Sequence, residues 1–80
     1  MTVVDQRTQR CIHLAGRLAE AQVHELLRAC GPKISTVVLM LGDLISVDAV
    51  GLHTLRSLQE GGARLRDVPA YIQLKLDALS

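Results

Sequence analysis

The chain has 80 residues, of which 49% are hydrophobic, and its formal net charge is +1. This balance is typical of one small ordered domain and excludes an intrinsically disordered chain. The Lys and Arg residues are scattered among the acids and Tyr71 is the single aromatic residue, so we expect no nucleic-acid partner, which would need a cationic stripe with stacking rings.

Two short strands, at residues 2–5 and 11–14, open the predicted layout, and a polar hairpin connection at 6–9 joins them. On the second strand Ile12 and Leu14 share one face, while Cys11 and His13 share the other. Gly16 is expected to end this strand. The core must be aliphatic, because the chain has no Phe or Trp.

A first helix is predicted over residues 19–30, because apolar residues recur there at helical spacing. Gly31 and Pro32 end it, since glycine accepts the conformation just past a helix and proline cannot continue one. The inner face of this helix is expected to hold Val23, Leu26, Leu27 and Cys30.

A buried strand follows, beginning at Ile34 or Thr36 and ending at Leu41, because the run 37–41 is continuously apolar. Gly42 and Asp43 predict a polar turn after it. A second helix is predicted over about 49–60, and Gly61-Gly62 stops it. Its core side is expected to hold Leu52, Leu55 and Leu58 or Gln59.

A short strand at 63–66 carries Arg64 and Arg66, which suits an exposed sheet edge. Pro69 then fits the first turn of a last helix that reaches Leu79. The inner stripe of this helix is Ile72, Leu76 and Leu79. The predicted fold is therefore a single α/β domain over 1–80, with a mixed sheet, helices packed on one or both of its faces, and the order β-β-α-β-α-β-α.

The start of the second helix is the most informative segment. Asp48 stands immediately before the helical pattern, where a carboxylate caps the free N–H groups of the first turn. The run Asp48-Ala49-Val50-Gly51-Leu52 after an apolar strand resembles the Asp-Ser-Ser/Ala-Gly-Leu motif of STAS domains, which occur in sulfate transporters and anti-sigma-factor antagonists. Three further segments are similar to that family in the same order: IHLAGRL at 12–18, GGARL at 61–65 and VPA at 68–70.

The resemblance implies a non-catalytic regulatory module of bacterial signalling and transcription control, whose partner is an anti-sigma-factor kinase or a related ATPase. Family members carry a phosphorylatable serine at the position of Ala49, so phosphorylation cannot gate binding there and binding is expected to be constitutive. Ser46 or Thr54 is an alternative acceptor, although a serine in a turn also bonds local backbone. The partner surface is expected to comprise Ser46, Asp48, Ala49, Val50, Gly51, His53 and Thr54.

Two other functions stay open on the sequence. The first is a small STAS subunit or domain of a transport system, either an accessory subunit of a lipid-transporting ABC system or the tail of an anion transporter. The second is a self-associating structural module that forms a homodimer through an uncovered sheet edge. Relatives usually continue with another strand and helix, so the resemblance also implies a C-terminally shortened domain.

Catalysis is not expected. His53 lies five residues after Asp48, about 140° round the helix, so the two side chains diverge. Asp43 is a second nearby carboxylate, but no nucleophile with an adjacent base is apparent in the sequence. A phosphorelay receiver would need an early acidic pair and a late lysine that are lacking. His13 and His24 are interpreted as exposed residues of a strand and a helix rather than as metal ligands, so we expect neither a metal nor a cofactor.

The cellular location is expected to be the cytoplasm. The N-terminal charges Asp5, Arg7 and Arg10 are unlike a signal peptide, and no apolar run approaches the roughly 20 residues that span a bilayer. Cys11 and Cys30 suit two small apolar residues in a reducing compartment. A longer membrane protein that contains this sequence is the alternative.

Overall fold

A computed structural model describes residues 1–79. The order β-β-α-β-α-β-α predicted from the sequence is confirmed, with one additional 3-10 turn before β3. The elements are β1 (Thr2–Asp5), β2 (Arg10–Leu18), α1 (Glu20–Cys30), the 3-10 turn (Ile34–Thr36), β3 (Val37–Val47), α2 (Ala49–Glu60), β4 (Arg64–Arg66) and α3 (Ala70–Ala78).

The four strands form one mixed sheet in the order β1-β2-β3-β4. β1 is antiparallel to β2, whereas β2, β3 and β4 are parallel to one another. Because each parallel connection moves one strand in the same direction, right-handed crossovers place α1 and α2 on the same face of the sheet. α3 packs beside α2, so the domain is α/β with two layers.

Strands β2 and β3 run further than the sequence predicts. β2 continues through Gly16, which has φ +75°, to Leu18. β3 continues through Gly42 and Asp43, where a turn was predicted. From the pair His13–Met40 to the pair Ala15–Asp43, β2 advances two residues and β3 three, so β3 holds an extra residue here. Such a bulge leaves the pairing on either side intact, so Gly42 and Asp43 stay within the strand although their types are typical of a turn.

The core lies between the sheet and the helices and is aliphatic apart from Cys30, as predicted. On α1, however, Leu27 is exposed, which corrects the predicted inner face. The buried side of α1 carries Val23, Leu26 and Cys30. Leu27 lies about 100° round the helix from Leu26, on the side that faces α2. On α2, Leu58 is buried and Gln59 exposed. The core residues are Ile12, Leu14, Leu18, Val23, Leu26, Cys30, Val37, Leu39, Leu41, Leu44, Val47, Leu55, Leu58, Ala63, Ile72 and Leu76.

The last strand and helix lie where they were predicted. β4 is a short strand at the sheet edge, and α3 begins directly after Pro69. Leu79, just past the helix, is half-buried against the core. None of the helices within residues 1–79 combines the length and the apolar character that crossing a membrane requires.

Candidate functional site

Asp48 occupies the turn between β3 and α2, and its predicted role as helix cap is confirmed. Its Oδ1 accepts a hydrogen bond from the backbone N–H of Gly51 at 2.7 Å. Its Oδ2 accepts a second bond, at 3.2 Å, from the backbone N–H of Glu20, the first residue of α1. The Asp48 N–H also donates to the carbonyl of Leu18 at the end of β2. One side chain therefore holds the N-termini of two helices together.

Gly51 is buried where α2 starts, and the space around it explains why the residue is glycine. A Cβ at this position would lie 2.6 Å from the Leu18 carbonyl oxygen and 2.9 Å from Cγ2 of Val47. These distances are shorter than real Cβ contacts, so a larger residue would push α2 away from the ends of β2 and β3. The prediction that Gly51 belongs to the partner surface is therefore corrected: Gly51 is buried, and its close contacts instead set the position of α2.

The other predicted surface residues differ in exposure. Ala49, Val50 and His53 are exposed, whereas Ser46 and Thr54 are half-buried. The Thr54 hydroxyl donates to the backbone carbonyl of Val50 at 2.8 Å. Within residues 1–79, no hydrogen bond of the Ser46 hydroxyl is present. Ala49 is the first residue of α2. It presents a methyl group at the position where the STAS motif that this segment resembles has a serine hydroxyl.

An apolar groove of about 430 Å³ lies between α1 and α2 beside this surface. Leu27 and Val50 are the large apolar side chains of the groove, and each exposes more than two fifths of its surface, at 45% and 44%. Leu27 and Ser57 were not among the predicted site residues. No local signal distinguishes Leu27, because its spacing from Val23 and Cys30 is that of an inner-face residue. The lining comprises Leu27, Ala49, Val50, His53, Thr54 and Ser57.

The structure does not assemble an acid–base group around His53. His53 lines the groove, but neither Asp48 nor Asp43 does. Both oxygens of Asp48 accept helix-capping bonds, and Asp43 lies on β3 opposite Ala15 of β2. His13 and His24 are exposed. Among the described residues, no group of three His, Cys, Asp or Glu is arranged to hold a metal ion.

Both cysteines are free thiols. Cys30, at the end of α1, is buried, and this burial raises the pKa of its thiol above the ordinary value, against the opposing influence of the Arg10 charge. Cys11 is half-buried on β2. Arg10 forms an ion pair with Asp5 and donates to the carbonyl of Ala29 at 2.6 Å, so it ties β1 and β2 to the last turn of α1.

Comparisons with known proteins add a similarity of fold. No protein-family model matches the chain, and no curated protein matches it. A solved structure described as "Crystal Structure Analysis of Mglu" superposes with a TM-score of 0.65 at 25% sequence identity. The superposition covers 86% of this chain and 19% of that chain, so the present chain spans about a fifth of the length of the protein it resembles.

Proposed function

We propose that this chain is a non-catalytic interaction module of the STAS type, resembling an anti-sigma-factor antagonist that lacks the phosphorylation switch. The observation that carries this proposal is the position of Ala49, which is exposed at the first residue of α2 and lines the apolar groove. The element order, the cap of Asp48 and the buried Gly51 support the same assignment, since each fits the residues that carry the resemblance.

The chemistry of the groove favours docking by apolar contact. Leu27 and Val50 expose large aliphatic surfaces, and partner surfaces of this kind bury apolar side chains surrounded by polar ones. The positive end of α2 is already satisfied by the Asp48 carboxylate. The partner we propose is an anti-sigma-factor kinase or a related ATPase, in the cytoplasm, and its binding is constitutive because Ala49 has no hydroxyl to phosphorylate.

Substitution of Ala49 tests this proposal directly. Ala49→Glu places a charged side chain on the rim of the groove, and burying an unpaired charge against an apolar partner opposes binding. Ala70→Glu is the matched control, because Ala70 is the exposed first residue of α3 and lies away from the groove. In affinity capture from the source lysate, wild type and Ala70→Glu should recover a kinase-like ATPase, and Ala49→Glu should not.

A transport-associated STAS domain is the second candidate. The similar fold in the solved structure is a small part of a much longer chain, and the tail of an anion transporter would have the same arrangement. The same capture separates the two candidates. Recovery of a transporter ATPase or a membrane transporter supports the second one. If Ala49→Glu and wild type recover the same partner equally, the groove is not the docking site in either candidate. Recovery of the bait alone favours a self-associating module.

A further inference from the structure

A pocket of about 530 Å³ lies at the end of the sheet where β1 ends and β3 begins, opposite the end that carries Asp48. One of its walls is the hairpin between β1 and β2, and the other is the segment from the end of α1 to the 3-10 turn. All of its lining residues lie between positions 5 and 36, so neither β4 nor α3 takes part in it. Its volume is within the range of roughly 300–1,000 Å³ that is typical of small-molecule sites.

The side chains of this pocket leave two positive charges without a counter-charge. Arg7, Arg10 and Lys33 line it, and Asp5 is the single acid among the described residues of its lining. Asp5 and Arg10 form an ion pair, so their charges compensate each other. The side chains of Arg7 and Lys33 have neither an ion pair nor a hydrogen bond within residues 1–79. The pocket therefore has a net positive charge from these two residues.

The hairpin that carries Arg7 is closed by two hydrogen bonds. The backbone N–H of Gln6 donates to the carbonyl of Gln9 at 2.8 Å, and the side-chain amide of Gln9 donates to Oε1 of Gln6 at 2.9 Å. Arg7 and Thr8 lie between these two residues and form the tip of the turn. The position of Arg7 at the pocket is thus set by the turn and not by a flexible loop.

The segment that carries Lys33 is also held in place. Gly31 has φ +67°, which a residue with a side chain rarely adopts, and it turns the chain away from the axis of α1. The carbonyl of Lys33 then accepts two hydrogen bonds from Thr36, one from its backbone N–H at 3.1 Å and one from its hydroxyl at 2.8 Å. The backbone of Lys33 is therefore fixed on the wall opposite the hairpin.

Arg10 connects the two walls and reduces the negative potential at the end of α1. Its guanidinium pairs with Asp5 on β1 and donates to the carbonyl of Ala29 at 2.6 Å. The last carbonyls of a helix have no partner inside it and form its negative end. Because Arg10 binds one of these carbonyls, the end of α1 opposes an anion in the pocket less strongly.

The surroundings of the pocket extend its positive potential and add apolar surface. An adjoining cavity of about 220 Å³ shares Thr8 with the pocket and adds Arg64, and no acid is among the described residues that line it. Cys30 and Pro32 contribute apolar atoms to the pocket itself. The ligand that fits this lining carries a group with a high negative charge and a small organic part.

We propose that this pocket binds a small organic phosphate monoester. The phosphate group has a charge of about −1.5 to −2 at neutral pH, which matches the two uncompensated charges of Arg7 and Lys33, whereas a carboxylate would match one. Arginine and lysine both bind phosphate oxygens through charge-assisted hydrogen bonds. The organic part of the ligand contacts Pro32. This site is separate from the groove between α1 and α2, so it stands or falls independently of the proposed partner.

The test compares three probes on the 80-residue chain: phenyl phosphate, inorganic phosphate and benzoate. Backbone amide NMR shifts are followed during each titration at constant ionic strength, because salt screens exposed charges. Phenyl phosphate should shift the amides of residues 6–9 and 31–36 and leave those at the start of α2 unchanged. Inorganic phosphate lacks the organic part and benzoate has a single charge, so both should bind more weakly, benzoate by at least about tenfold.

Two double variants assign the binding to the pocket. Arg7→Gln/Lys33→Gln should weaken the binding of phenyl phosphate by at least about tenfold, because both cations that contact the phosphate are lost. Arg17→Gln/Lys75→Gln makes the same change in net charge at two exposed positions that do not line the pocket, and it should bind like wild type. Circular dichroism of both variants verifies that they are folded.

Three results would overturn the proposal. The first is an equal loss of affinity in the two double variants, which would assign the binding to net charge alone. The second is a set of shifts at the start of α2 or in the α1–α2 groove in place of residues 6–9 and 31–36. The third is binding of inorganic phosphate or benzoate as tightly as phenyl phosphate, because the pocket would then not select a phosphate monoester.

Discussion

The carboxylate of Asp48 accepts a hydrogen bond from the backbone N–H of Glu20 at 3.2 Å, although the two residues are 28 positions apart. The same carboxylate caps its own helix through the N–H of Gly51. Since the first N–H groups of a helix have no partner inside the helix, Asp48 satisfies orphan donors of α1 and α2 at once. The α1–α2 groove therefore owes part of its geometry to a residue in the turn beneath it.

Removing this carboxylate should destabilise the fold beyond the effect of losing one cap. We expect Asp48→Ala to lower the free energy of unfolding by about 1–3 kcal/mol, because two backbone donors lose their acceptor. Asp48→Asn keeps one acceptor oxygen, so its free energy of unfolding should lie between those of wild type and Asp48→Ala. Urea unfolding monitored by circular dichroism measures the difference. Asp43→Ala removes an exposed acid of the same charge, and an equal loss there would contradict the capping role.

Gly51→Ala should destabilise the protein even though alanine is the better helix former. The gain in helix propensity is about 1 kcal/mol, but the new Cβ would lie 2.6 Å from the Leu18 carbonyl oxygen. Forcing such a contact costs about 1–3 kcal/mol, so we expect a net loss on thermal unfolding. The control is Gly61→Ala, where φ is −77° and the nearest atom is 3.4 Å away. That variant should be unchanged or more stable by up to about 1 kcal/mol.

Local patterns in the sequence were sufficient for the type and order of the elements. Helical spacing located α1 and α2, and the acidic residue before α2 was correctly interpreted as its cap. The predicted ends of β2 and β3 were wrong, because glycine at position 16 and the Gly42-Asp43 pair are residues that usually interrupt a strand. In the fold, pairing between β2 and β3 continues past them, and two extra residues in β3, one at each of two register shifts, absorb the mismatch. Tertiary pairing of this kind leaves no local signal.

The candidate site was predictable in part, for the same reason. The residues around Asp48 are contiguous, so their neighbourhood follows from the chain itself. Leu27 enters the groove from α1, and its membership depends on how two helices pack on one face of the sheet. The bond from Glu20 to Asp48 likewise depends on the end of β2 lying beside the end of β3. Contacts between distant segments required the three-dimensional structure.

The Cys30 thiol should make the stability fall at alkaline pH. Burial raises its pKa in the folded state, whereas the thiol of the unfolded chain ionises at about pH 8.5. The folded state therefore holds this proton more tightly. The contribution of Cys30 to stability is fully present below the unfolded pKa and decreases as pH rises through that value towards the raised one.

Chemical denaturation between pH 7 and pH 10 measures this effect, with Cys30→Ala as the variant. Cys30→Ala should be less stable than wild type at pH 7, because it leaves a small cavity, and the difference between the two should shrink as the pH rises. Cys11→Ala keeps Cys30 and should retain the contribution of Cys30 to the alkaline fall. A difference between wild type and Cys30→Ala that stays constant over this range would contradict the prediction.

Tyr71 should secure α3 to the edge of the sheet through a single hydrogen bond. Its hydroxyl donates to the carbonyl of Leu44 at 2.7 Å, on the part of β3 that β4 does not reach. Tyr71→Phe keeps the ring and removes the donor, so we expect a loss of about 1 kcal/mol and faster amide hydrogen exchange in residues 44–47. The control is Leu74→Ala, which alters an exposed side chain on the same helix and should change stability by less than about 0.5 kcal/mol. If Tyr71→Phe matches wild type in both measurements, α3 is held at the edge of β3 by packing alone and the hydrogen bond contributes nothing measurable. The segment around Asp67 would then be tested next for its contribution to holding α3.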